Sequence, residues 1–353
     1  MNESNSNPLA KWLGDIEGSP ETMVPPVDIA ARLASVRFDI HTPPPLATAM
    51  FQLNNGTITH TRGNISAITA QAKAGKSALI AALTAATIAP QPENCDLLGF
   101  QAINPERLPV LLLDTEHSPE HHWKLCDRIF RRAKVAESEL LHAYQLAGFG
   151  VKDLNAALDH LLDERKWFAA FLDGTGDFVA DVNDPEECNF FVARLHRLAI
   201  KHDSHLFNVL HLNPSSDFKS RGHLGSQLER KAETNLRIEK KDGVSLVYAD
   251  KNRGADIPKD TGPRFLWSNE ALMHVSADTI DNDKRSATLD KLREQCSEAF
   301  RTAHKTALHW SELVEALLRV PGVKSKRTAE RIHTDAKEND IIHKNLIGQW
   351  EMK

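Results

Sequence analysis

Ile65-Ser-Ala-Ile-Thr-Ala70-Gln71-Ala72-Lys73-Ala74-Gly75-Lys76-Ser77-Ala78 is the stretch on which the reading of this chain turns. An apolar run of strand character ends at Ala70, a loop closes on Gly-Lys-Ser, and an apolar helix follows from Ala78 to Ala89. Strand, loop and helix in that order mark a phosphate-binding loop. Backbone N–H groups and a helix N-terminus offer partial positive charge to phosphate oxygens. Ala72, Lys73, Ala74, Gly75, Lys76, Ser77 and Ala78 are therefore the expected nucleotide cradle. Lys76 is placed to reach the β- and γ-phosphates, and the Ser77 hydroxyl to ligate Mg²⁺. The motif's first glycine is replaced by Ala70, whose methyl is tolerated only where φ is negative. A chance Gly-Lys-Ser turn ahead of a buried helix is the competing reading.

Outward from this loop, short apolar runs alternate with helical stretches from residue 50 to residue 275. That alternation predicts an α/β fold with a mainly parallel sheet flanked by helices. The clearest strands are Ile65–Ala70, Val110–Asp114, Phe168–Asp173, His205–Leu210, Thr234–Glu239 and Ser245–Tyr248. Asn183-Asp184-Pro185-Glu186-Glu187 has the signature of a helix start, with a capping side chain, proline in the first turn and then acids. Residues 1–49 read as a polar, then proline-rich arm with one short helix around Asp28–Val36. Residues 276–290 are polar and poor in large apolar groups, which predicts a linker to a small domain over 291–353.

Composition excludes several classes. With 43 basic and 48 acidic residues in 353 the formal charge is −5, so the chain does not hold nucleic acid over its whole surface. The hydrophobic share of 41% is that of a soluble globular protein. No apolar run reaches the ~18–20 residues of a membrane span, and the first thirty residues lack the basic stretch and apolar core expected of a signal peptide. Cys95, Cys126, Cys188 and Cys296 are widely spaced, as expected of reduced thiols in a cytoplasmic protein.

Two further strands end in acids. Val110–Asp114 continues into Thr115-Glu116-His117, and Phe168–Asp173 into Gly174-Thr-Gly-Asp177. An acid at the C-terminal end of a strand beside a phosphate loop sits where a metal and an attacking water are held. Asp173 is followed by glycine rather than by a second acid, so the water-polarising carboxylate is expected from the other strand, at Glu116. Val209-Leu-His211-Leu-Asn213 is a third strand with a polar end, Arg221-Gly-His-Leu-Gly-Ser226 reads as a flexible loop, and Lys251-Asn-Arg253 follows.

Taken in order over residues 60–275, these elements resemble RecA-like P-loop ATPases, and among them the RepA-type and DnaB-type hexameric replicative helicases of plasmids and mobile elements. The resemblance implies ATP and Mg²⁺ as ligands, with Lys76 and Ser77 on triphosphate and metal. Asp173 would complete the metal site through water. Glu116 would be the carboxylate on the attacking water, His211 the γ-phosphate sensor acting through Asn213, and Lys251 and Arg253 groups reaching a neighbour's ATP. Arg221 would touch a strand of nucleic acid in a central pore. Simpler readings are a satisfied core histidine at 211, a solvated hairpin at 251–253 and a loop charge at 221. His117, His121 and His122 read as a solvated helix start, with no third metal ligand in view.

The C-terminal unit reads as helix over Thr306–Leu318, turn at Val320-Pro-Gly322, helix capped by Ser325, then a hairpin over Ile341–Trp350. That is the order of a winged helix, whose second helix lies in a DNA groove. Lys326, Arg327 and Arg331 are its candidate phosphate contacts, against Glu330, Asp335 and Glu338 on the same helix. With the resemblance, the chain is expected to be a ring-forming, hexameric, ATP-driven DNA helicase working on single-stranded DNA. A nucleotide-gated oligomeric regulator that recruits a partner without unwinding is the alternative, and a small-molecule kinase using the same loop is a third.

Overall fold

Neighbouring side chains of a strand leave the backbone on opposite faces, and in this chain both faces of the central strands are covered. The computed structural model describes residues 29–43, 46–212 and 222–353. Residues up to Leu46 form one unit and Ala47–Lys353 a second. In the first, helix α1 (Ile29–Ser35) falls within the predicted span. Helix α1 and the chain after it expose Ile29, Leu33, Val36, Phe38 and Ile40.

The second unit begins with β1 (Ala49–Leu53) and β2 (Ile58–Thr61), followed by β3 (Ile65–Ala70) and α2 (Lys76–Ile88). Then come β4 (Phe100–Ala102), β5 (Val110–Asp114), α3 (Pro119–Ala133), β6 (Leu141–Gln145) and α4 (Val151–Glu164). β7 (Ala169–Asp173), α5 (Pro185–Lys201), β8 (His205–His211) and α6 (Gly222–Lys231) complete the alternation. Four strands then run in succession: β9 (Thr234–Lys241), β10 (Val244–Asn252), β11 (Arg264–Ser268) and β12 (Met273–Ser276). The main sheet has nine strands in the order β12-β11-β10-β9-β3-β8-β7-β5-β6. Its six strands from β9 to β6 are mutually parallel, and β10, β11 and β12 extend it antiparallel at one edge. Strands β2, β1 and β4 form a separate small sheet.

Alternation sorts the core into two layers. Ile68, Leu112 and Phe171 face α2 and α3 through Leu79, Leu83, Leu125 and Ile129. Ala67, Leu113 and Leu172 face α4, α5 and α6 through Leu158, Leu195, Leu224 and Leu228. Helix α5 starts as its sequence predicts: the Asp184 carboxylate accepts from the Glu186 and Glu187 N–H groups, and Pro185 opens the first turn. Phe171 and Phe207 stack at 4.3 Å between ring centres, a pair worth about 0.5–1.5 kcal/mol beyond the area it buries.

Two expectations change. The stretch 276–290, read as a linker, is helical rather than irregular: α7 runs over Ala277–Ala303. The segment has no glycine or proline to stop a helix. Residues Gly222–Ser226, read as part of a flexible loop, form the start of α6, because Leu224 and Leu228 one turn apart both bury fully. Arg221 and Asn213 lie outside the described residues.

Beyond α7 come β13 (Ala307–Leu308), α8 (Trp310–Leu318), α9 (Lys326–Glu338), β14 (Ile342–Lys344) and β15 (Trp350–Met352). The first predicted helix is shorter at its start because Ala307–Leu308 pairs with the hairpin, giving a sheet in the order β13-β15-β14. Ser325 caps α9 by accepting from the Thr328 N–H, as predicted. The order of helix, turn, helix and hairpin holds, around a core that includes Leu313, Leu317, Ile332 and Trp350. Among the described residues, no helix is long and apolar enough to cross a membrane.

Candidate functional site

Register brings the strand ends together. Asp114 stands opposite Asp173 across β5 and β7, and His211 stands opposite Ala70 across β8 and β3. The C-terminal edge of the parallel sheet therefore presents the phosphate loop, His211, Asp173 and Asp114 side by side, where α/β folds place ligands. Asp114 and Asp173 come from neighbouring parallel strands. Ala70 does not have a positive φ, so its methyl costs the loop nothing.

Gly75 caps α2 in the left-handed region at φ 113°, and a Cβ there would stand 2.7 Å from the Phe265 ring. Only glycine fits, and α2 then presents its first-turn N–H groups at the loop. Gly174 has the same character at the next strand. At φ +101°, an added Cβ would lie 2.0 Å from Thr115 Oγ1 and 3.0 Å from Glu116 Cγ. The glycine after Asp173 is thus the space that lets the Glu116 turn reach the site.

Lys76 is buried, with its ammonium 2.7 Å from His211 Nδ1. His211 Nε2 lies in turn 3.0 Å from Glu116 Oε1. Burial pulls the Lys76 pKa down, opposed by Glu116 and Asp173. Burial also raises that of Glu116, but the His211 hydrogen bond and the Lys76 charge outweigh it and hold the carboxyl below its ordinary range. Asp173 shows the opposite balance. Burial raises its carboxyl to about 7, with the Glu116 and Asp114 charges adding to the effect. Among the described residues its Oδ2 is shut from solvent with no hydrogen-bond partner. A buried acceptor left open beside two acids and Ser77 fits a divalent cation.

Asp114 and His117 belong to this site, although spacing alone suggested neither. The fully buried Asp114 carboxylate accepts from the N–H groups of Glu116 (3.1 Å) and His117 (3.0 Å), and faces His117 Nδ1 at 3.0 Å and His122 Nδ1 at 2.8 Å. These hydrogen bonds carry the Asp114 carboxyl well below the carboxylate range against its burial. The same bond to Asp114 raises His117 and takes His122 up to about 9. Asp114, His117 and Asp173 converge closely enough to share a metal ion. The third group that the histidine run lacked is on the neighbouring strand. His121 is the solvated residue expected, exposed beside the cap of α3.

The cleft over the loop measures about 390 Å³ and is also walled by Arg128, Arg132, Lys240, Met273 and His274, none of which belongs to a recognisable motif. Arg132 is buried and donates to the carbonyls of Asp96 and His274, so it builds the wall. Glu116 and His211 also line a second cleft of about 720 Å³, bounded by Phe149, Gly174 and Val182.

Lys251 and Arg253 are not at their own chain's phosphate loop. Asn252 pairs with Thr234 and Thr234 with Ser66, which sets them at the other end of the sheet, about 13 Å from Ala70 at 3.3 Å per residue. Lys251 Nζ donates to the Arg230 carbonyl at 2.9 Å, closing the end of α6, while Arg253 is exposed. Lys326, Arg327 and Arg331 are exposed on the first turns of α9, and among the described residues they make no ion pair.

The chain matches no known family model. No curated protein matches it either. Among solved structures it is similar to the ATPase domain of another protein, at 13% identity and a TM-score of 0.44, over 61% of this chain and 85% of that one.

Proposed function

We propose that this chain is an ATP-hydrolysing motor acting on nucleic acid, ring-forming and most simply hexameric, and that it serves as a helicase or replication protein of a mobile element. The observation that carries this reading is the unbroken line from Lys76 through His211 to Glu116 at the mouth of a phosphate loop. Phosphate cradle, γ-phosphate contact and water-polarising carboxylate then share one set of contacts.

Lys76 and the loop amides would hold the triphosphate, and Ser77 and Asp173 would hold Mg²⁺. The metal, when bound, supplies positive charge to the β- and γ-oxygens. Glu116, kept ionised by His211 and Lys76, takes the proton of the attacking water. His211 loses its γ-phosphate contact on cleavage and relays this through Asn213 to the pore loop of Arg221, the residue assigned to single-stranded DNA. The exposed face of α9, with Lys326, Arg327 and Arg331, meets phosphates as an accessory contact.

Two outcomes are expected. Single-stranded DNA raises the ATPase rate, and ATP shifts the particle mass toward a closed ring of this chain. An unchanged rate together with an ATP-dependent assembly would replace the motor with a nucleotide-gated regulator.

Arg253 is assigned to the neighbour's site, where its planar fork can contact two phosphate oxygens. Arg253→Ala should leave nucleotide binding intact and cut turnover by about 10³-fold or more. Mixing it with Glu116→Gln subunits should restore activity at interfaces pairing an intact Glu116 with an intact Arg253. Mixtures that stay as inactive as either variant would end the trans assignment.

A further inference from the structure

We infer that His117 is a direct ligand of the divalent cation in the nucleotide site, through Nε2, and that Asp114 positions it for this role. The inference rests on the nucleotide-site reading above and adds an imidazole to a metal site otherwise made of oxygens.

The geometry fixes which nitrogen is free. His117 Nδ1 lies 3.0 Å from Asp114 Oδ2 and 3.1 Å from Oδ1. A carboxylate on one ring nitrogen holds that proton and leaves the lone pair on the other, which is how metal-binding histidines are commonly oriented. The other nitrogen, Nε2, points to the metal hydroxyl, 3.5 Å from Ser77 Oγ. Two adjacent ligands each about 2.1 Å from one cation stand about 3.0–3.5 Å apart. Ser77 and His117 are therefore spaced as neighbouring ligands, without rearrangement of either.

The backbone supports this placement. The Asp114 carboxylate also takes the His117 N–H at 3.0 Å, and Gln145 Nε2 donates to the His117 carbonyl at 2.9 Å. Ring and main chain are thus held from both sides. The second independent observation is the orphaned Asp173 Oδ2, buried 3.8 Å from His117 Nδ1. With Asp114 and His117 it converges closely enough to share one metal ion, and its open oxygen leaves buried negative charge beside the ring.

Chemistry then sets selectivity. Magnesium strongly prefers oxygen ligands and gains little from imidazole, whereas manganese, cobalt and zinc accept it. Nucleotide binding by this chain should favour those ions relative to a site in which Ser77 and waters alone complete the shell.

The test uses the full chain with Mn²⁺ and a non-hydrolysable ATP analogue, read by pulsed electron paramagnetic resonance. A coupling to directly bound imidazole nitrogen is expected in the wild type, lost in His117→Gln and kept in His121→Gln. Mn²⁺ affinity should fall about tenfold in His117→Gln while Mg²⁺ affinity changes little. A wild-type Mn²⁺–nucleotide complex without nitrogen coupling overturns the His117 assignment and leaves the nucleotide site standing. Equal losses for both cations overturn it in favour of a purely structural histidine. A wild-type chain that binds no nucleotide, or binds it as well after Lys76→Ala, overturns the nucleotide site and His117 with it.

Discussion

Glu116→Gln is expected to lower ATP turnover by about 10²–10⁴-fold while nucleotide affinity stays close to that of the wild type. Glutamine keeps the length and planarity of the side chain and can still hydrogen-bond His211. It cannot accept the proton of an attacking water. The wild-type group is suited to that task because it stays charged against its own burial, held by His211 and Lys76. Because the substitution also removes a negative charge near the triphosphate, binding should strengthen slightly rather than weaken. Phosphate release at saturating ATP, set beside direct binding of a labelled nucleotide, separates the two quantities. Turnover within tenfold of the wild type would move the base to another residue.

Lys76→Ala acts on the other half of the cycle, and its two readouts should diverge. A hydrogen bond to a charged partner is worth about 1.5–3 kcal/mol. Lys76 is assigned contacts to two phosphates, so affinity for ATP should fall by about 10²-fold or more. The unliganded fold should not suffer. Lys76 keeps its ammonium in a buried position that disfavours the charge, and alanine removes that cost at the first position of α2, where it is a good helix former. Thermal unfolding should therefore begin at an equal or higher temperature without nucleotide and lose the rise that ATP produces in the wild type. Tight binding retained in the variant would sink the phosphate-loop assignment.

How far residues alone reach depends on how each element is buried. β3, β5, β7 and β8 are covered on both faces, and continuous apolar runs reveal them. β6 lies at the sheet edge, where Leu141-His-Ala-Tyr-Gln145 is half-buried throughout and carries no clear period. β11 and β12 are short, and their mixed residues pack on the cleft side rather than into a double-sided core. At the site, Lys76, Ser77, Glu116, Asp173 and His211 were legible because each follows a readable strand or loop, and the structure brings all five together. Asp114 and His117 were not. Their partner Asp173 comes from the adjacent strand through register, and spacing along one segment cannot show a contact made across two. Lys251 was legible as part of the Lys251-Asn-Arg253 element, but its own chain already engages it at the end of α6.

The long helix α7 has a consequence for how chemistry could be felt at a distance. It spans 27 residues, a rod of about 40 Å at 1.5 Å per residue. Its foot is clamped: the Ser276 N–H and hydroxyl both donate to the Asp96 carboxylate, at 2.8 and 2.6 Å. The strand feeding it places Met273 and His274 in the wall of the phosphate cleft. The fulcrum of the rod therefore sits beside the cleft over the Gly75–Ser77 loop, and its load, the unit of α8 and α9, hangs at the far end. A tilt of about 10° at the clamp carries that end through about 7 Å, by the length of the rod alone. Small adjustments at the cleft would be magnified there into a swing several times larger.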